Sequence, residues 1–190
     1  MQRVTTESKE HIIGYHTQEY RCNSAVLEQP IKCRAENAWL GQGYYFWVEI
    51  EFAHHWGKDY KIHNTGGYDV YKAHLDTEKC INATFDEKGY YFFKSKIEEA
   101  VQYYQKMGKK ITLGYLNLFL KEKVWQPLGI TGIIYDDLPK NTERKNRIFS
   151  QIEYSENKEM RYFYYRKRIQ IVLFDLKNVA NFDIHLEDQN

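Results

Sequence analysis

A histidine followed by a hydroxyl residue, Tyr15-His16-Thr17, closes the short apolar run that opens with His11-Ile12-Ile13. At a strand end such side chains can leave the sheet and face a ligand. About two dozen residues later, Leu40-Gly41-Gln42-Gly43-Tyr44-Tyr45-Phe46 couples a flexible glycine turn to a block of aromatics, and a segment holding Ala53 and Trp56 follows. The chain carries 17 tyrosines and 10 phenylalanines, and tyrosine suits both half-buried strands and stacking on flat ligands. Near the C-terminus lies Ile169-Gln170-Ile171-Val172-Leu173-Phe174-Asp175, then Asn178-Val179. Each group also has a plain structural reading. His16 can be a surface histidine, two or more of Tyr44, Tyr45, Phe46 and Trp47 must be core, and Gln170 can be an outward-facing strand residue.

Other chemistries are less well served. His54 and His55 are adjacent, so on a helix they point about 100° apart and make a poor chelate. No metal is expected. Cys22, Cys33 and Cys80 follow no metal or redox spacing and read as reduced thiols. Asp136-Asp137 reads as a solvated turn. Arg161-Tyr162-Phe163-Tyr164-Tyr165-Arg166-Lys167-Arg168 interleaves cations with aromatics, and with Lys140, Arg144, Lys145 and Arg147 it is either a stacking surface for single-stranded nucleic acid or a charge-protected edge strand. A net charge of +1 gives no global field toward nucleic acid or membrane. The first residues lack an apolar signal core and the greasiest run, Ile111 to Leu120, is too short to span a bilayer, so a cytoplasmic protein without membrane contact is expected.

The elements that must position these residues follow from periodicity and punctuation. One domain over residues 1–190 is expected, without linker or repeat. A strand ends at His16; Asn23 or Ser24 caps a short helix through Leu27 and Glu28; Val48 to Trp56 forms a helix that stops at Gly57. Tyr68 to Leu75 alternates as a half-buried strand. Ser95 and Glu98 suggest a capping box for a helix that Gly108 stops, and a second helix covers Tyr115 to Val124. Gly132 to Asp136 is a short strand, and Arg161 to Asp175 is the longest strand-like region, with Ile169, Ile171 and Leu173 opposed to Val172 and Phe174. Strands with irregularly inserted helices predict a mixed α+β domain with largely antiparallel sheets.

In order and spacing, the three groups resemble the ADP-ribosyltransferase superfamily, in its poly(ADP-ribose) polymerase and diphtheria-toxin-like branch. That branch has a His-Gly-Ser/Thr strand, a Gly-x-Gly-x-Tyr-Phe segment leading into an alanine-bearing helix, and a late Glu-x-Ile-Val-Tyr-Asp strand; the likeness runs from about Ile12 to Val179. Gly132-Ile133-Ile134-Tyr135-Asp136-Asp137 is similar to a segment of small bacterial relatives. The resemblance implies two mostly antiparallel sheets forming a split β-core with peripheral helices, and NAD as substrate. It assigns His16 to a hydroxyl of the nicotinamide ribose and the Thr17 backbone to the carboxamide. Tyr45 would stack on the ring, with Tyr44 or Tyr60 as a second wall, and Gly41 and Gly43 would let the backbone approach the dinucleotide.

At the late strand the chain departs from that pattern, because Gln170 stands where the family has its glutamate. A charge-assisted hydrogen bond is worth about 1.5–3 kcal/mol against about 0.5–1.5 for a neutral one. The loss corresponds to roughly ten- to a hundredfold in rate. Glu153, Glu143 and Asp136 are the acids that could compensate, with Glu153 favoured. The resemblance implies a mono-ADP-ribosyltransferase acting on a macromolecular acceptor, protein or nucleic acid, in a toxin or phage-defence role with an antitoxin partner. Its rivals are an NAD glycohydrolase and a catalytically silent module that binds ADP-ribose or RNA.

Overall fold

A single pairing holds the two halves of the sheet together. The computed structural model describes residues 11–20, 26–137 and 167–185. Among them the strands are β1 (Ile12–Glu19), β2 (Tyr44–Trp47), β3 (Tyr68–Leu75), β4 (Cys80–Asn82), β5 (Gly132–Asp136), β6 (Ile169–Leu173) and β7 (Val179–Ile184). The α+β class holds. The expected pair of sheets is instead one mixed seven-stranded sheet in the order β4-β5-β6-β2-β1-β3-β7, parallel only between β4 and β5. The reason lies between β1 and β2, where one register pair, Tyr15 opposite Trp47, joins β4-β5-β6-β2 to β1-β3-β7.

The sheet has to curl. Leu75 ends β3 and Cys80 begins β4, yet β5, β6, β2 and β1 lie between those strands. Laid flat, five strand spacings would separate them by about 24 Å, and five extended residues reach only about 17 Å. The inner face is accordingly filled by the sheet's own side chains, with Phe46, Leu75, Ile171 and Leu173 fully buried and Ile134 and Ile169 beside them. The outer face carries two helical clusters, Trp47, Phe52, Ala53 and Val70 at one end and Leu40, Phe93, Trp125, Ile133 and Val172 at the other.

Helix α1 (Ile50–Trp56) does not stop at Gly57. Gly57 is itself helical, at φ −58, and the chain continues through a π segment (Gly57–Lys61) into α2 (Ile62–Thr65). Gly66, at φ +76, ends the run. Gly57 serves packing instead, since a Cβ there would meet the Tyr68 ring at 2.3 Å. Helix α3 (Glu87–Lys106) begins well before Ser95: Asp86 caps it by accepting from the Lys88 and Gly89 amides, while the Ser95 hydroxyl donates to the Phe92 carbonyl inside the helix. Gly108, at φ +65, stops it as expected. Thr112 caps α4 (Leu113–Leu120), which runs on through a π turn, Lys121–Trp125. Residues 23–24, the expected cap of an early helix, lie outside the described residues; Leu27 and Glu28 are not helical. No helix among the described residues is long and apolar enough to cross a membrane.

Candidate functional site

Strands β1 and β2 part just beyond their one pair. Backbone groups of alternate residues point to the same side of a strand. The Val70 carbonyl accepts from the His185 amide on the β7 side, so Thr17, opposite Val70, turns its own N–H and C=O toward β2. Thr17 and Tyr45 would form the next rung after Tyr15 and Trp47, but the ladder has no such rung. The Tyr45 carbonyl accepts instead from His16 Nδ1 at 2.9 Å. An imidazole thus replaces a main-chain donor, and the Thr17 amide edge faces a fork. On the outer side of the fork the Thr17 hydroxyl donates to the Ala53 carbonyl at 2.8 Å and fastens α1 to β1.

Because a carbonyl can only accept, the bond to Tyr45 places the ring proton on Nδ1 and leaves a lone pair on Nε2. That Nε2 is buried and makes no bond of good hydrogen-bond geometry, the Gln18 side chain being only a weak polar neighbour of the ring. His16 lies on the inner face, 6% exposed, between the rings of Phe46 and Phe182 at 5.6 and 6.0 Å. Burial is the largest influence on it and lowers its pKa; Lys61 lowers it too, and the bond to Tyr45, Gln18 and Glu19 oppose them less strongly. The folded state therefore prefers the neutral ring. For a base whose folded pKa is depressed, stability is intact above the unfolded value near 6.5 and is lost as the pH falls from there toward the folded pKa. Denaturant melts at pH 7.5, 6.5 and 5.5 are expected to show a decline approaching about 1.4 kcal/mol per pH unit below 6.5. The decline is expected to be absent in His16→Asn.

Tyr45 does not meet the His16 ring. Phe46 and Tyr44 belong to the inner cluster, whereas the Tyr45 ring packs on the outer one with Leu40 and Val172. The imidazole and the phenol thus occupy opposite faces of the sheet, linked only through the Tyr45 carbonyl, and the expected shared slot of those two side chains is not formed. The Tyr45 hydroxyl donates to the Gly41 carbonyl at 2.6 Å and accepts from the Leu40 amide at 3.2 Å, and burial raises its pKa further beyond the tyrosine range. It pins the glycine turn. Tyr44 shares the inner face with His16 but sits at the far end of β2, opposite Leu173, with Lys32 Nζ 5.7 Å from its ring centre. Tyr60 is exposed and stacks on Trp56 with ring centres 4.2 Å apart.

Gly41 adopts φ +88, a left-handed turn residue, and lines a surface groove of about 960 Å³. Gly43 is confined by its own protein: a Cβ would stand 2.5 Å from Val172 Cγ2 and 2.7 Å from the Leu173 carbonyl. Its close approach is to β6. Gln170, opposite Trp47 and Tyr135, lies on the outer face with Tyr45; it is 6% exposed, and its Oε1 accepts from the Trp39 indole at 2.7 Å. Glu153 and Glu143 lie outside the described residues. Asp136 accepts from the Arg168 amide at 3.2 Å.

Two neighbours of Gln170 were not expected there: Trp39, which the sequence does not single out, and Arg168, expected on a basic surface or a charged edge strand. Trp39 holds its acceptor, and Arg168 lies over Trp47 and Phe52, 5.2 and 5.7 Å from their ring centres, while pairing with Asp137 at 3.0 Å. Burial raises the Asp137 pKa and Arg168 partly offsets this. Period-two spacing puts Arg168 on the Gln170 face, a signal present in the sequence; nothing local marks Trp39. Among the described residues no group of three His, Cys, Asp or Glu is placed to hold a metal ion. The chain matches no family model, no curated protein and no solved structure.

Proposed function

We propose that the domain binds NAD at the fork between β1 and β2 and transfers ADP-ribose to a macromolecular acceptor, protein or nucleic acid. One observation carries this reading. The Thr17 edge offers an N–H and a C=O side by side toward a place where the ladder has no next rung. A primary carboxamide such as that of nicotinamide presents the complementary acceptor and donor in one plane. The glycosidic bond to a cationic nicotinamide already has a good leaving group, so positioning the ring and sugar supplies much of the catalysis. An antitoxin-type partner and a toxin or phage-defence role remain implications of the sequence resemblance.

The test is purified protein with NAD labelled in the adenylate moiety, incubated with cell extract. Label is expected in macromolecules, and protease or nuclease treatment then assigns the acceptor. Release of nicotinamide without labelled macromolecules identifies a glycohydrolase. If NAD is neither bound nor consumed, the NAD reading is wrong.

A second reading, a silent module that binds ADP-ribose, is favoured by Gln170, whose only acceptor oxygen is engaged by Trp39. Gln170→Glu keeps the indole bond and adds a charge. For a weakened enzyme it raises NAD turnover about ten- to a hundredfold. Zero turnover in both forms with ADP-ribose still bound selects the module.

A further inference from the structure

Away from the fork, α3 and α4 form a hairpin whose charge differs from that of the whole chain. Residues 102–126 carry Lys106, Lys109, Lys110, Lys121 and Lys123 against one acid, Glu122, in a protein of net charge +1. All six side chains are exposed. Ion pairs among the described residues use other cations, Lys61, Lys94, Lys96, Arg168 and Lys177. Among the described residues none of the five lysines is paired with an acid, which leaves them to meet an external anion.

The same hairpin exposes aromatic surface. Tyr104 and Tyr115 stack across it with ring centres 5.8 Å apart and planes 23° from parallel, and Tyr103 packs on Phe119 at 5.1 Å. Tyr103 is 47% and Tyr115 51% exposed. Tyr115, Leu118 and Lys121 continue as one wall of the 960 Å³ groove, which Lys32 and Lys177 also line. Glu36 and Asp175 lie in that groove as well, but Asp175 is engaged by Lys177.

From this juxtaposition we propose that the α3–α4 hairpin is a platform for single-stranded nucleic acid, with bases extending the Tyr104–Tyr115 stack and phosphates meeting the lysines. Cations alone would suit any polyanion. Cations around exposed, already stacked rings suit one whose bases are unpaired, because every base offers a face to an aromatic side chain. The proposal stands independently of the NAD reading, since binding needs no dinucleotide.

The experiment is fluorescence anisotropy of fluorescein-labelled oligouridylate, about 20 nucleotides long so that it exceeds the roughly 4–16 nucleotides such a surface covers, titrated with the full chain without NAD. Saturable binding is expected at low salt. If each of the five lysines neutralises one phosphate, log K falls against log salt with a slope of about −3.5. Lys109→Glu with Lys110→Glu is expected to reduce the slope to about −2. Tyr115→Ala, at a half-exposed position whose loss leaves the core intact, is expected to weaken binding about tenfold with the slope unchanged. A duplex of equal length is expected to bind more weakly than the single strand. Absence of binding at low salt, duplex binding equal to single-strand binding, or variants indistinguishable from the parent overturns the proposal. So does sedimentation showing that the hairpin pairs two copies of the chain, with a dimer that Tyr115→Ala dissolves and no oligonucleotide bound.

Discussion

Gly43→Ala is expected to lower the stability of the folded protein by about 3 kcal/mol, the upper part of the range for overpacking a filled site. In a domain of this size that corresponds to roughly 6–12 °C in Tm. The added methyl meets Val172 Cγ2 at 2.5 Å and the Leu173 carbonyl at 2.7 Å, and the second of these is backbone that cannot rotate aside. Relief requires β2 to move away from β6, against the bridge in which Cys33 and Gly43 exchange hydrogen bonds of 2.8 and 3.2 Å. Gly41→Ala differs in kind. Its nearest obstacle is Asn117 at 3.7 Å, an ordinary contact, so its cost is the left-handed backbone alone, about 1–2 kcal/mol. Thermal melts of the two variants therefore separate the glycines. If Gly43 served ligand approach, as the sequence pattern suggests, its alanine variant would melt with the parent and lose only NAD affinity.

The two glycines show what a sequence can and cannot reveal. A Gly-x-Gly pair announces a turn with close backbone approach, but which surface approaches is a long-range fact. The same holds for Gly57, whose place after an apolar helical face resembles a stop although the Tyr68 ring is what excludes a side chain there. Strands buried from one side were legible: Tyr68–Leu75 alternates because its inner residues Ala73 and Leu75 are wholly covered while Lys72 and His74 are not. β6 differs, because all five of its residues are buried: Ile169, Ile171 and Leu173 fill the inner face while Gln170 and Val172 are covered on the outer one. By contrast β4 is three residues long and its parallel partner β5 lies beyond two helices, so no local pattern marks it. The expected convergence of His16 with Tyr45 failed for a related reason. Whether two residues on neighbouring strands share a face depends on register, and a slip of one residue exchanges the faces. Tyr15 lies opposite Trp47, which fixes His16 with Phe46 and Thr17 with Tyr45. Of the residues expected to line the nicotinamide site, Thr17 and Gln170 then share the outer face with Tyr45, and His16 and Tyr44 do not.

His16→Ala is expected to abolish NAD binding by closing the fork, with little loss of folded stability. The imidazole takes the Tyr45 carbonyl that Thr17 would otherwise approach, and it keeps Nε2 buried without a bond of good geometry. An unsatisfied buried nitrogen costs about 1–3 kcal/mol. Removing the ring ends that cost, and the gap left beside Phe46 and Phe182 offsets the gain. With its carbonyl released, Tyr45 can pair with the Thr17 amide, the ladder can extend by one rung, and the edge that suits a carboxamide disappears. Hydrogen exchange reads this directly as slower exchange at the Thr17 amide. His16→Asn distinguishes the two nitrogens. Its side-chain amide reaches where Nδ1 does and can still donate to Tyr45, so the fork stays open, while nothing replaces Nε2. If His16 acts only as the wedge, the asparagine variant retains NAD turnover near the parent level; if Nε2 also accepts from a ribose hydroxyl, turnover falls about a hundredfold through lost positioning while the Thr17 amide still exchanges as in the parent. An alanine variant that binds and consumes NAD like the parent would remove the fork from consideration as the site, because no arrangement of Thr17 can serve the carboxamide once the ladder has closed over it.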